Sequence, residues 1–166
     1  VVMVIEALSL LIVDDDEVMR KLLGEVFEKQ GYLVELAESG EQALKRLRER
    51  SFALVLSDIR MLETDGLAVL KEAKLLAPQS VVVLMTGFGS MSGAMEALQV
   101  GAFDYVSKPF RMDEIKAVLA RASQQYRSIM QNRGSVSPSA GVDVKIRALV
   151  GKSTKTVEVY KVIARA

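Results

Sequence analysis

The chain has 166 residues, 50% of them hydrophobic and 26% charged, the balance of a globular protein with one full domain and a shorter appendage. It contains no cysteine and no histidine. Disulfides, thiolate and imidazole metal sites, a cysteine nucleophile, a Ser-His-Asp triad and a phosphohistidine of its own are therefore excluded. The net charge of +1 conceals a split: 11 basic against 17 acidic residues over positions 1–110, and 11 against 4 over positions 111–166. An acidic globule is followed by a basic tail.

The first apolar run, Val1–Val13, is interrupted by Glu6 and closed by Asp14-Asp15-Asp16. It falls short of the roughly 18 apolar residues of a membrane span. Lacking a basic start and a small-residue cleavage site, it also makes a poor signal peptide. The expectation is a cytoplasmic protein without membrane contact, whose first buried strand is Leu10–Val13.

A helix follows in which Val18, Leu22, Leu23, Val26 and Phe27 recur at three- and four-residue steps until Gly31. Tyr32–Leu36 reads as the second strand. Ser39, with Gln42 three residues on, forms a capping-box pattern opening a helix to about Arg50. Phe52–Leu56 is the third strand, and Asp65-Gly66 opens a helix over Leu67–Leu76 ended by Pro78. Val81–Met85 is the fourth strand, Ser90–Val100 a helix ended by Gly101, Phe103–Ser107 the fifth strand and Arg111–Met130 the longest helix. Leu10–Val13 and Val81–Met85 are continuously apolar, as strands buried on both faces are. Five β-α repeats predict an α/β fold, a flavodoxin-like doubly wound parallel sheet of order 2-1-3-4-5 with a long C-terminal helix and tail.

In that topology Asp14 and Asp15, Asp58, Thr86 and Lys108 follow strands one, three, four and five, and converge on one rim. Taken singly, each has an ordinary use: Asp16 fits a helix cap, Thr86-Gly87 a strand-to-loop turn and Lys108-Pro109 a surface turn. Together they describe a site. Clustered carboxylates repel and need a cation, for which Mg²⁺ is suited as a hard ion bound by carboxylates, water and phosphate. Lys108 adds a compact positive charge and Thr86 a hydroxyl donor. The matching reaction is attack of a carboxylate on a phosphoryl group.

The segments LLIVDDD, LSDIR, LMTGFG and YVSKPF resemble the receiver domain of two-component response regulators over about residues 8–125. The resemblance implies Asp58 as phosphoacceptor and an Mg²⁺ pocket including Asp14. Asp15 and Asp58 would be direct ligands, joined by the backbone carbonyl of Arg60. It further implies Thr86 and Lys108 as phosphoryl contacts and Tyr105 as the aromatic that moves on activation. The donor would be a phosphohistidine on a sensor histidine kinase. The domain would be a regulatory phosphoacceptor, catalysing only its own phosphorylation and dephosphorylation. One departure stands out: where receivers carry Met-Pro before the Asp-Gly turn, this chain has Met61-Leu62. Loss of that proline should loosen the loop after Asp58.

The chain divides into a receiver domain over 1–125, its last helix extending to about 131, a linker over 132–145, and residues 146–166. The last part, with Leu149-Val-Gly-Lys-Ser and Val157–Ala164, resembles the opening of the AAA+ domain in nitrogen-regulator-type activators of sigma-54 RNA polymerase. Gly151-Lys152-Ser153 is not read as a phosphate-binding loop, because the earlier glycine of that motif is Ile146. On this reading the nucleotide-binding and DNA-binding parts lie beyond residue 166, and no direct nucleic-acid contact is expected here. Ile115, Leu119, Ala122, Tyr126 and Ile129, spaced 4, 3, 4 and 3, read as a heptad seam for a homodimer. Packing on the sheet is the alternative for the N-terminal half of the stripe, while Tyr126 and Ile129 lie beyond the expected receiver core.

Two other classes fit less well. A haloacid-dehalogenase-type phosphohydrolase would use Asp14-x-Asp16 but leaves Asp58 without a role. A flavin module needs a Ser/Thr/Gly-rich first loop, and here that loop is three aspartates, which repel an anionic cofactor.

Overall fold

A computed structural model describes residues 6–87 and 91–134. Five strands, β1 (Ser9–Val13), β2 (Leu33–Ala37), β3 (Leu54–Asp58), β4 (Val81–Thr86) and β5 (Asp104–Ser107), alternate with five helices. These are α1 (Glu17–Lys29), α2 (Gly40–Glu49), α3 (Gly66–Leu76), α4 (Met91–Val100) and α5 (Met112–Gly134). The sheet is parallel throughout, in the order β2-β1-β3-β4-β5. This is the expected flavodoxin-like topology.

The continuous apolar runs have a direct cause. In β1, Leu10 and Ile12 face a cluster with Leu23 and Phe27 of α1 and Ile115, Leu119 and Ala122 of α5. Leu11 and Val13 face the opposite cluster, with Ala43 and Leu47 of α2, Val69, Leu70 and Ala73 of α3, and Ala97 of α4. Because helices cover both faces, successive strand residues all lose water, and strict apolar/polar alternation disappears.

Local signals set the helix ends. Asp16 Oδ1 accepts from the amides of Val18 (2.9 Å) and Met19 (3.1 Å), and Ser39 Oγ accepts from Gln42 N at 3.1 Å. Asp65 Oδ1 accepts from Ala68 N at 2.9 Å. Each satisfies a donor with no partner inside its helix. The Gln42 side chain reaches back to the amide of Glu38 at 3.0 Å, one residue before the cap.

Several boundaries differ from the sequence reading. β2, β3 and β4 end at Ala37, Asp58 and Thr86, because the ladders Val13↔Ala37, Asp58↔Met85 and Thr86↔Ser107 continue past the last large apolar residue. Helix α4 begins at Met91; Ser90, read as its start, lies outside the described residues. Helix α5 runs 23 residues to Gly134, so residues 132–134, read as the start of the linker, are helical. The rest of the linker and the AAA+-like segment lie outside the described residues.

The heptad seam needs correction. Ile115, Leu119 and Ala122 are fully buried in the core beside the sheet, and Tyr126 and Ile129 pack against the same cluster. The 4-3-4-3 spacing is the stripe by which α5 lies on its own domain. Val118 and Ser123, buried between those positions, widen that stripe beyond a two-position seam.

Candidate functional site

The carboxyl ends of the strands form the rim. Asp14 follows β1 and is 0% exposed. Its amide donates to the carbonyl of Ala37 (3.2 Å), extending the β1–β2 ladder by one bond. Its Oδ1 accepts from the amide of Asp16 at 2.9 Å, which folds the acidic loop onto itself. Asp15 beside it is exposed. Asp58 is the last residue of β3, 7% exposed, and its Oδ1 accepts from the amide of Arg60 at 3.1 Å.

Lys108 joins the two buried acids. Its Nζ donates to Asp14 Oδ2 at 2.8 Å and to Asp58 Oδ2 at 2.6 Å. Its backbone amide donates to the carbonyl of Thr86, the buried end of β4. Thr86 and Lys108 are thus tied together just beyond the Thr86↔Ser107 pair. Burial pushes the Lys108 ammonium down, but hydrogen bonds from Asp14 and Asp58 and their negative charge outweigh it and hold the lysine above its ordinary range. The amine stays charged.

Oxygen atoms of Asp14, Asp15 and Asp58 lie within 4.8 Å of one another. Three carboxylates and one ammonium leave a formal charge of −2. An all-oxygen donor set, a charge equal and opposite to a divalent ion, and an exposed Asp15 on the open side fit a hard cation such as Mg²⁺.

The structure brings Asp14, Asp15, Asp58 and Lys108 together, joins Thr86 to Lys108 through the backbone, and places the Arg60 amide on the Asp58 carboxylate. Tyr105 is two residue pairs back along β5 from Ser107, opposite Leu84, and packs half-buried against the α2–α4 cluster. Asp16 serves as the α1 cap, so the Asp14-x-Asp16 reading loses its second acid to a structural role.

Two contributors escaped the sequence reading. Arg20 Nη1 donates to the carbonyl of Asp14 at 2.7 Å and fastens the acidic loop to α1; a basic residue one turn into the helix after an acid run is its sequence signal. Gly66 was read as a turn residue. Its amide donates to Ile59 O at 2.8 Å, and a Cβ there would clash with the carbonyl oxygen of Asp58 and lie 2.8 Å from Ile59 Cα. Only glycine lets α3 start this close to the end of β3.

Comparison with known proteins agrees with this geometry. Residues 10–120 match the response regulator receiver domain family. The transcriptional regulatory protein ZraR of Escherichia coli (strain K12) is 43% identical over 132 residues, covering 80% of this chain and 30% of that protein. The DNA-binding transcriptional regulator NtrC of Klebsiella pneumoniae is 36% identical over 154 residues, 93% of this chain and 32% of its own length. The chain thus spans about a third of the length of these relatives. Among solved structures, NtrX from Brucella abortus in complex with ATP superposes with a TM-score of 0.74 at 28% identity, covering 92% of this chain and 34% of that one. A response regulator receiver domain protein from Clostridium thermocellum gives 0.69 at 26% identity, with coverage of 74% and 98%. Among the described residues no helix is long and apolar enough to cross a membrane. The chain therefore belongs to the response regulator receiver domain family of two-component systems, and it is related to the NtrC-type sigma-54 activators that its sequence resembles.

Proposed function

We propose that this domain accepts a phosphoryl group on Asp58 from a phosphohistidine of a sensor histidine kinase, in a reaction that requires Mg²⁺. The observation that carries the reading is the double contact of Lys108 with Asp14 and Asp58, beside an open third carboxylate. A carboxylate oxygen of Asp58 forms the new O–P bond, and the P–N bond of the donor breaks, leaving its electron pair on the histidine. Asp15, Asp58 and the backbone carbonyl of Arg60 would hold Mg²⁺, with Asp14 completing the pocket. When bound, the ion supplies positive charge against the anionic phosphoryl oxygens.

The chain's own residues do the rest by position. The Arg60 amide fixes one oxygen of Asp58, and Lys108 sits on the other. Lys108 can pass from Asp58 to a phosphoryl oxygen while keeping Asp14 as its second partner. Thr86, tied to Lys108 through the backbone, supplies a hydroxyl to the same group. A pull on Thr86 acts on β4 and β5, where Tyr105 is half-buried against the α2–α4 cluster and is the aromatic placed to respond.

The output belongs to the same proposal: control of a sigma-54-activating AAA+ ATPase, with DNA contacts made outside this chain. A homodimer through the last helix enters only by way of Tyr126 and Ile129, the half-buried members of the α5 stripe.

Intact-mass measurement after incubation with acetyl phosphate tests the core of the reading. One added phosphoryl group is expected with Mg²⁺, and none with chelator or in Asp58→Asn. An adduct that survives Asp58→Asn and vanishes in Asp14→Asn would transfer the chemistry to the first acid and overturn the assignment.

A further inference from the structure

The loop after the phosphoacceptor, residues 59–65, contains no proline to stiffen it. Its ends are fixed: the Ile59 amide donates to Met85 O at 2.9 Å, and the Gly66 amide returns to Ile59 O. Between them, Arg60 donates its amide to Asp58 Oδ1. Among the described residues, Met61, Leu62, Glu63 and Thr64 make no hydrogen bond, and Leu62 is 94% exposed. Two contacts hold this stretch. Met61 packs on the α2–α4 cluster, and Thr64 lies directly over Gly40, the first residue of α2. A Cβ on Gly40 would stand 2.5 Å from Thr64 O, 2.6 Å from its Cβ and 2.9 Å from its Cγ2.

The backbone of α2 at Gly40 therefore touches Thr64 directly, against both its carbonyl oxygen and its side chain. Gly40 sits in the first turn after the Ser39 cap, where Ser39 Oγ and the Gln42 side chain bind neighbouring amides and fix the helix end. The seat is thus the capped start of a helix that packs on α3, β1 and β2.

From this the geometry points to Gly40 as a positioning residue. The start of α2 seats Thr64, and through it sets where the Arg60 amide meets the Asp58 carboxylate. A proline-free loop thereby keeps its active-site amide in place. The inference rests on the reading of Asp58 as phosphoacceptor for its consequence in catalysis, and on geometry alone for its effect on the loop.

Two variants test it by opposite routes. Gly40→Ala intrudes on Thr64, whereas Thr64→Gly removes the side chain that rests on Gly40 and adds no atom. In both, the Arg60 amide should exchange its hydrogen faster, and the Mg²⁺-dependent adduct with acetyl phosphate should form about tenfold more slowly, as for a displaced reacting group. Leu47→Ala, which empties the far end of the same helix, should lower the melting temperature and leave Arg60 exchange at its wild-type level. Wild-type exchange at Arg60 in Thr64→Gly would overturn the inference, as would equal acceleration in Leu47→Ala. Thr64→Gly decides alone should Gly40→Ala fail to fold. A wild-type chain that takes no phosphoryl group would defeat the proposed function, while Arg60 exchange would still decide on Gly40.

Discussion

Removal of the Lys108 ammonium tests the electrostatic construction of the site most directly. Its Nζ lies 2.8 Å from Asp14 and 2.6 Å from Asp58. At an effective dielectric of about 20, each contact is worth roughly 6 kcal/mol of Coulomb attraction. Most of this is offset by desolvation, since both carboxylates are nearly or fully buried. Truncation does not recover that desolvation, because it leaves Asp14 and Asp58 facing each other and Asp15 with the formal charge raised from −2 to −3. Lys108→Ala in chelator should therefore lose about 3 kcal/mol of stability, the lower end for breaking a buried pair because the lysine side chain is 22% exposed. Added Mg²⁺ should then stabilise Lys108→Ala more than it stabilises the wild type, because a more negative site binds a divalent ion more tightly and binding to the native state adds to stability. Urea midpoints at a fixed pH near 7, with and without Mg²⁺, measure both quantities. Equal Mg²⁺ gains in the two proteins would refute the charge argument, and so would a variant as stable as wild type in chelator.

Other expected outcomes follow from single contacts. Gly66→Ala forces a methyl onto the Asp58 carbonyl and should cost about 2 kcal/mol or more, read by thermal melting, with weakened Mg²⁺ binding. Ile129→Ala should cost about 1 kcal/mol in urea titration, because Ile129 is only partly buried against the core; an unchanged midpoint would return that residue to an intermolecular role. The two lysines with displaced proton affinity should give opposite alkaline slopes. Lys108 is raised when folded, so its contribution is fully present below the unfolded value of 10.5 and is lost as pH rises through its folded value. Lys74 is lowered by burial, so folding gains stability as pH rises from its folded value towards 10.5. Urea midpoints of Lys108→Ala and Lys74→Met against wild type between pH 8 and 11, a range set by these directions, should separate the two signs.

The sheet was legible because its burial on both faces turns strands into uninterrupted apolar runs, and the acids were legible because the topology sends their strand ends to one rim. The strand ends themselves were read short. Asp58 and Thr86 are polar, so a pattern of hydrophobicity stops before them, while backbone pairing with Met85 and Ser107 carries on. The α5 stripe was misassigned for a different reason. Spacing of 4 and 3 reports that one helix face is apolar and says nothing of what covers it. Ser123 disguised the width of that face: it is buried, and its hydroxyl is satisfied by Leu119 O at 2.8 Å and Tyr32 Oη at 2.9 Å. The seat of Thr64 on Gly40 had no readable signal at all, since it depends on a loop residue meeting a helix backbone from another part of the chain.

Charge connects the resting site to the proposed reaction. In the resting arrangement three carboxylates and Lys108 sum to −2, which a divalent cation neutralises. Phosphorylation replaces the single negative charge of Asp58 by the roughly two of an acyl phosphate near neutral pH, so the balanced site becomes negative by about one charge. Asp14 cannot relieve that excess, and Lys108 already spends half its contact on it. The group proposed to respond is the hydroxyl of Thr86, a residue at the end of β4 whose carbonyl accepts from the Lys108 amide. A hydroxyl adds a hydrogen bond but no charge, so the strain is met by moving a strand end and not by neutralisation. On the proposed reading, one added charge would be converted into displacement along β4 and β5. Thr86→Ala should accordingly leave the phosphoryl adduct intact while abolishing the change in Tyr105 environment, read by near-ultraviolet circular dichroism or by the ring resonances of Tyr105. A Tyr105 response that persists in Thr86→Ala would show that Lys108 alone carries the signal.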